Sequence, residues 1–219
     1  YDAPVDALEL QDGRFKAARI GAERIQARAC VLAAGGFESN LEWLREAWGQ
    51  NERGEWPADN FLIRGTRYNQ GVLLKFMLDA GADRIGDPSQ SHCVAIDARA
   101  PLYDGGICTR IDCVSLGVVV NREARRFYDE GEDFWPKRYA IWGRLTAMQP
   151  GQIAYSIIDA KAVGRFMPPV FPGVTADSVP ELGRRLGLDP VAFERTIREY
   201  NQACRTGTFD HTTLDDCRT

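Results

Sequence analysis

The sequence predicts an α+β protein in which a small antiparallel sheet comes first and helices with further short strands follow. The dipeptide Asp12-Gly13 is a strong hairpin signal between two stretches that carry apolar residues. After Glu38 the apolar residues change to a helical spacing. The dipeptide Asp189-Pro190 is a typical helix start, with an N-cap residue followed by proline at the first helical position.

The first part of the chain predicts a β-meander. Residues 5–10 and 15–20 form a hairpin, and residues 25–32 form a further strand after a turn at Gly21-Ala22. The meander ends at the double glycine Gly35-Gly36. Because glycine lacks a Cβ, this strand end could approach something flat or anionic, such as a dinucleotide. The alternative is an ordinary turn from a strand into a helix.

The residues after the double glycine predict an amphipathic helix. Leu41, Leu44 and Trp48 lie at i, i+3 and i+7, on one face of that helix. Either Ser39 or Asn40 can cap it, because their side-chain oxygens accept hydrogen bonds from the free N–H groups of the first turn.

Further elements are predicted along the rest of the chain. Asn69 is expected to cap a second helix that ends at Gly81, and residues 179–186 form a short helix before the one that Asp189 begins. Apolar runs at residues 116–120 and 153–158 predict strands.

Composition and charge exclude several classes of protein. Hydrophobic residues make up 44% and charged residues 26% of the 219 residues, which is ordinary for a globular protein. The net charge of −4 argues against a nucleic-acid partner. The sequence has no apolar run of the length that crosses a bilayer. Its six cysteines form no CxxC pair, so no metal site is predicted and a reduced, cytoplasmic protein is the simplest interpretation.

Two stretches carry candidate binding residues. His92 lies in a predicted loop and could donate a hydrogen bond or positive charge to a substrate carboxylate, although it could equally be a surface histidine. Residues 126–144 mix acidic residues with Arg138, Arg144 and large aromatic residues. Aromatic walls around arginines can clamp carboxylates. The alternative for this segment is an ion-paired surface.

Several motifs together resemble the fumarate reductase and succinate dehydrogenase flavoprotein family, in their order and over almost the whole chain. Residues 129–144 are the most specific part of the resemblance and are similar to a family member that oxidises tricarballylate to cis-aconitate. The other motifs are Val-Leu-Ala-Ala-Gly-Gly-Phe (31–37), Asn-Gln-Gly (69–71), Ala-Gly-Ala (80–82), Gln-Ser-His (90–92) and Val-Asn-Arg-Glu-Ala-Arg-Arg-Phe (120–127).

The resemblance implies how the chain is divided. Residues 1–40 would be part of an FAD-binding domain, residues 41–210 a capping domain that closes over the substrate, and residues 211–219 the start of the return to the FAD domain. The glycine fingerprint GxGxxG of the FAD domain does not occur in the 219 residues. The chain is therefore expected to be a segment of a larger flavoprotein, inactive and colourless by itself.

The resemblance also implies roles for particular residues. His92 matches the substrate-binding histidine of the family. Arg110 stands near the position of the family's acidic proton-relay residue, which suits a site that binds an additional carboxylate. The family's catalytic arginine aligns with Phe134 or Trp135 instead, so Arg138 and Arg144 are the available substitutes, with Arg138 preferred. The residues expected to contact FAD are Ala33, Ala34, Gly35 and Gly36.

The implied partners follow from this family. They are a small polycarboxylate substrate, the missing FAD-domain segments of the same polypeptide and an electron-accepting protein, which could hold a cytoplasmic enzyme at a membrane. The implied reaction is the FAD-dependent oxidation of a C–C bond beside carboxylates. The alternatives are another fumarate reductase-like flavin oxidoreductase, of fumarate/succinate or ketosteroid type, or a non-enzymatic polycarboxylate-binding domain.

Overall fold

The computed structural model describes residues 2–103, 105 and 108–215, without the side chains of Trp135 and Pro136. Within these residues the protein has the predicted α+β architecture, with a three-stranded and a two-stranded antiparallel sheet. The strands are β1 (Ala7–Gln11), β2 (Arg14–Ile20), β3 (Glu23–Gln26), β4 (Val118–Asn121) and β5 (Ala154–Ile157). The helices are α1 (Leu41–Trp48), α2 (Val72–Asp79), α3 (Trp135–Arg138), α4 (Trp142–Ala147), α5 (Val179–Leu186) and α6 (Pro190–Ala203).

The predicted meander is present as the sheet β1-β2-β3. Asp12 and Gly13 both have positive φ, 51° and 70°, which is the backbone geometry of the hairpin turn that this dipeptide predicts. The prediction of a third strand over residues 25–32 is wrong beyond Gln26, and Val31 is 90% exposed. Within the described part of the chain, residues 28–34 make no backbone ladder with a neighbouring segment, so their N–H and C=O groups are not held as a strand.

The first predicted helix is confirmed and the start of the second is corrected. Asn40 caps α1, because its Oδ1 accepts from Trp43 N at 3.1 Å. The N-cap of α2 is Gly71 and not Asn69. Gly71 has φ 75°, and a Cβ there would lie 2.4 Å from the Trp43 ring. The tight packing of Trp43 therefore places the helix start, and Asn69 instead donates from its side chain to Glu38.

Strand β4 lies between two hydrophobic cores, with all four of its residues buried. Val118 and Val120 pack with Phe193 of α6 in one core. Val119 packs with Trp142 of α4 in the other core. Burial on both faces explains why this strand is a continuous apolar run. The predicted strand at residues 153–158 is confirmed as β5, which pairs antiparallel with β4.

The two C-terminal helices follow their local capping signals. Asp189 Oδ1 accepts from Val191 N at 2.9 Å and from Ala192 N at 3.4 Å, so the predicted start of α6 is confirmed. The predicted end of α5 is confirmed at Gly187, which is left-handed with φ 71°. Within the aromatic, charged segment of residues 126–144, α3 carries Arg138 and the beginning of α4 carries Arg144.

A buried ion network joins the turn after β4 to the end of the described chain. The Arg126 guanidinium donates to Glu130 from Nε at 2.8 Å and to Asp215 from Nη2 at 2.8 Å. The second oxygen of Glu130 accepts from Val119 N at 2.6 Å. Burial alone would lower the pKa of Arg126, but these two carboxylates reverse the effect and raise it. The proposed return segment 211–219 thus has a described attachment at Asp215, while residues 216–219 lie outside the described residues.

Candidate functional site

A large cavity, of about 1150 Å³, is present among the described residues. This volume is above the usual range of small-molecule sites, roughly 300–1000 Å³. The cavity is lined by residues from both halves of the chain, and apolar side chains predominate. The principal contributing stretches are residues 36–38, 60–65, 90–99, 110–114, 152–158 and 166–174.

The cavity brings together two of the predicted substrate-binding residues. His92 and Arg110 both line it, and the ring of Tyr139 lies next to both. The His92 ring meets Tyr139 edge to face at a centroid distance of 4.8 Å. The Arg110 Cζ lies 5.3 Å from the centre of the Tyr139 ring. One aromatic ring therefore fixes the relative positions of an imidazole and a guanidinium.

Arg110 is held by a carboxylate as well as by the aromatic ring. Its Nε lies 2.5 Å from Asp112 Oδ1 and its Nη2 lies 2.8 Å from Asp112 Oδ2. Each of the two side chains is 11% exposed. The bidentate hydrogen bonds that Arg110 donates to Asp112 raise the pKa of Arg110, so the guanidinium stays charged and in a fixed plane.

The two predicted catalytic arginines lie at the edge of this arrangement. Arg144 donates to the Gln90 side chain, two residues before His92. Arg138 donates to Glu132 O at 2.8 Å and Gly131 O at 2.9 Å, and burial lowers its pKa. Neither arginine is among the described residues that line the large cavity. Arg138 borders a separate small cavity beside Tyr139. Their catalytic roles remain predictions.

Helix α4 fixes the backbone of the loop that carries His92. Gly143 N donates to Cys93 O at 2.8 Å. A Cβ at Gly143 would lie 2.6 Å from Val94 O. Only glycine allows this approach, so the helix and the residues after His92 are held backbone to backbone.

A second charged pair lies at the cavity beside residues 171–172. Arg99 donates to Asp97 from Nε and Nη2, at 2.9 and 2.7 Å, and to the carbonyl oxygen of Pro172 at 3.0 Å. Its Cζ also lies 5.0 Å from the centre of the Phe171 ring. The Arg99 side chain is 50% exposed, in contrast to that of Arg110. Arg99 therefore ties residues 171–172 to the cavity wall.

The four residues predicted to contact FAD form an accessible backbone segment. Ala33, Ala34 and Gly35 are exposed, and Gly36 is half-buried and lines the large cavity. Gly35 has φ 74°, and a Cβ there would lie 2.7 Å from Asn69 Oδ1. A segment with small side chains and accessible backbone groups fits the flat ring system of a flavin.

Sequence reasoning missed Tyr139, Asp112 and the pair formed by Asp97 and Arg99. Tyr139 was one of several aromatic residues in its segment and had no feature that distinguished it. The two charged pairs have a local signal, since opposite charges stand two residues apart in Arg110-x-Asp112 and Asp97-x-Arg99. Among the described residues, no cluster of three or more His, Cys, Asp or Glu side chains could hold a metal ion. None of the described helices is long and apolar enough to span a membrane.

The cysteines provide a test of the cavity wall. Burial raises the pKa of both Cys93 and Cys113, which line the cavity. We expect iodoacetamide at mildly alkaline pH to modify the exposed Cys30, Cys108 and Cys204 at least about tenfold faster than Cys93 and Cys113. The reason is that the thiolate is the reactive species. Peptide mass spectrometry over time would measure the rate at which each cysteine is modified. Equal rates for Cys113 and Cys30 in the folded chain would contradict it, and equal rates in urea are the control.

The fold is that of fumarate reductase-type flavoprotein domains. The structure is similar to the open conformation of a flavocytochrome c3 fumarate reductase, with a TM-score of 0.61 and 19% identity over 91% of this chain and 35% of that one. It is also similar to 3-ketosteroid-Δ4-(5α)-dehydrogenase from Rhodococcus jostii RHA1 in complex with 4-androstene-3,17-dione. There the TM-score is 0.58 with 22% identity, over 92% of this chain and 40% of that one.

The sequence is also similar to fumarate reductases, at low identity. The chain is 26% identical over 188 residues to the cytochrome-type fumarate reductase of Shewanella frigidimarina. The match covers 84% of this chain and 30% of that protein, and the enzyme of strain NCIMB 400 matches equally. The chain thus spans about a third of the length of the curated relatives it matches. No protein-family model matches it.

Proposed function

We propose that the chain is the substrate-capping part, with adjoining segments, of an FAD-dependent oxidoreductase that acts on a C–C bond beside carboxylates. The specific proposal is tricarballylate dehydrogenase, which converts tricarballylate to cis-aconitate. The observation that carries the proposal is the shared cavity of Gly36, His92 and Arg110. In this cavity Gly36, expected beside the flavin, lies with His92 and Arg110, expected to bind the substrate. The similarity to fumarate reductases supports the general class.

The residues for the cofactor are the backbone segment Ala33–Gly36. FAD supplies a two-electron acceptor when bound, while the protein supplies orientation and charge. With nothing larger than a methyl group on this segment, its backbone groups can face the cofactor. Gly36 carries the segment to the cavity wall, so a substrate held by His92 would lie in the same space.

The residues for the substrate act by charge and by hydrogen bonding. His92 donates to one carboxylate, and the Arg110 guanidinium, fixed by Tyr139 and Asp112, faces another. The apolar walls lower the local dielectric and so strengthen these interactions. We propose that Arg138, whose pKa burial lowers, or Arg144 accepts the proton that leaves the substrate. This role requires the neutral form of the arginine and a movement of its side chain toward the cavity, which neither arginine lines.

The apolar lining favours one alternative. Phe61, Ile96, Trp142 and Phe166 are among the apolar side chains at the cavity, and two of its arginines are paired with carboxylates. This environment also suits a largely apolar substrate. A flavin oxidoreductase of the ketosteroid type is therefore the second candidate, supported by the fold similarity to the ketosteroid dehydrogenase.

Turnover by the complete flavoprotein distinguishes these candidates. Dye-coupled assays would compare tricarballylate, succinate and a 3-ketosteroid. We expect turnover of the carboxylates, and His92→Gln should lower kcat/KM for them by about 100-fold, the size of a lost hydrogen bond to a charged group. His211→Gln is the matched control, because His211 is exposed, and should leave the rate unchanged. Turnover of the steroid alone would reject the polycarboxylate function.

A further inference from the structure

We propose that Asp112 determines how strongly the cavity prefers a tricarboxylate over a dicarboxylate, because it competes with the substrate for Arg110. This inference rests on the proposed polycarboxylate function and assigns a specificity-determining role within that site. Asp112 lines the same cavity as Arg110 and takes donor positions on both Nε and Nη2 of that guanidinium.

The burial of the pair makes the competition strong. With the side chains of Arg110 and Asp112 each 11% exposed, water screens their attraction little. A substrate carboxylate at Arg110 would share the guanidinium with Asp112 and lie close to a second negative charge. The net attraction for that carboxylate is therefore smaller than an arginine without a carboxylate partner would give.

The position of Arg110 identifies which substrate group it would meet. His92 contacts the same Tyr139 ring as Arg110 and can take one carboxylate of either acid. Succinate and tricarballylate differ by one carboxylate. Arg110 is a cation that contacts the same aromatic ring as His92, so we assign the additional carboxylate to Arg110. Removing Asp112 should then strengthen tricarballylate binding and leave succinate nearly unaffected.

The pair formed by Asp97 and Arg99 provides a matched control. It lies at the same cavity and has the same spacing of two residues and the same bidentate geometry. However, the Arg99 side chain is 50% exposed and also bonds Pro172 O. Removing the Asp97 charge should therefore leave a guanidinium that solvent screens and the loop holds.

The experiment measures kcat/KM of the complete flavoprotein for tricarballylate and for succinate. In D112N the ratio of the two should rise by about tenfold or more, the size of one charge-assisted hydrogen bond. In R110Q the ratio should fall by a similar factor. In D97N it should remain within about threefold of the unmodified enzyme, since solvent screens the half-exposed Arg99 guanidinium.

Opposite shifts in a substrate ratio separate specificity from a merely structural role, which would lower both rates together. If the unmodified enzyme turns over carboxylates and neither D112N nor R110Q changes the ratio, the inference is overturned while the proposed function stands. If it turns over no carboxylate, both fail. Should D112N not fold, as shown by thermal unfolding, R110Q alone decides, and an unchanged ratio there overturns the inference.

Discussion

Replacing Gly117 by alanine is expected to destabilise the chain by about 3 kcal/mol or more, at the upper end of overpacking effects. Gly117 precedes β4 with φ −166°, so a left-handed backbone is not the obstacle to alanine. The difficulty is contact, because a Cβ there would lie 1.9 Å from Ile157 O of β5. That oxygen belongs to the backbone of the β4–β5 ladder and cannot rotate away as a side chain can.

Urea unfolding of the 219-residue chain would measure this loss, with circular dichroism as the signal. Gly173→Ala is the matched control, because a Cβ at Gly173 meets no atom within 4 Å. The control should change the free energy of unfolding by less than about 0.5 kcal/mol. A stable G117A variant with the same urea midpoint would mean that β4 and β5 do not approach as closely as described.

Replacing Arg126 by methionine is expected to cost about 3–5 kcal/mol at neutral pH, because it leaves buried carboxylates without their cation. Glu130 is 3% exposed, and Asp215 loses the same guanidinium. Burial already raises the pKa of Glu130 against the opposing effects of Arg126 and Val119 N–H. Without Arg126 the pKa of this carboxyl rises further, so folding then favours its protonated form.

The destabilisation should consequently depend on pH. Between the pKa of unfolded glutamate, about 4.3, and the raised folded value, the folded variant binds a proton that the unfolded chain lacks. Its stability therefore falls as pH rises, and R126M should be less destabilised at pH 5 than at pH 7. Urea unfolding at both values measures this. Arg125→Met, at a side chain 65% exposed, is the control and should cost less than about 0.5 kcal/mol. An equal loss at both positions would contradict the buried network.

Local signals were enough to predict much of the fold. The hairpin at Asp12-Gly13 and the caps Asn40 and Asp189 each depend on residues within a few positions of one another, so the sequence contains the whole cause. The start of α2 could not be predicted in this way. It depends on the packing of Trp43 against Gly71, which are far apart in the chain.

In the candidate site, too, some features could be predicted from the sequence and others depend on contacts between distant residues. The family resemblance selected His92 and Arg110, and the structure brings both to one cavity. Tyr139, which lies against both, was missed because nothing in its local sequence sets it apart from its aromatic neighbours. The resemblance also suggested site roles for Arg110, Arg138 and Arg144. Of these three only Arg110 lines the cavity, where it has a carboxylate partner and apolar side chains predominate. Such pairing depends on side-chain geometry, which spacing alone does not determine.

The ion network around Arg126 has a consequence for synthesis on the ribosome. Arg126 and Asp215 are 89 residues apart, so the second carboxylate emerges on the order of ten seconds after the guanidinium at ordinary translation rates. During that interval Arg126 and Glu130 have each other but lack the segment that covers them. The ion network beside β4 can therefore be completed only after Asp215 has left the ribosome. A nascent chain stalled before Asp215 should remain sensitive to protease in this region.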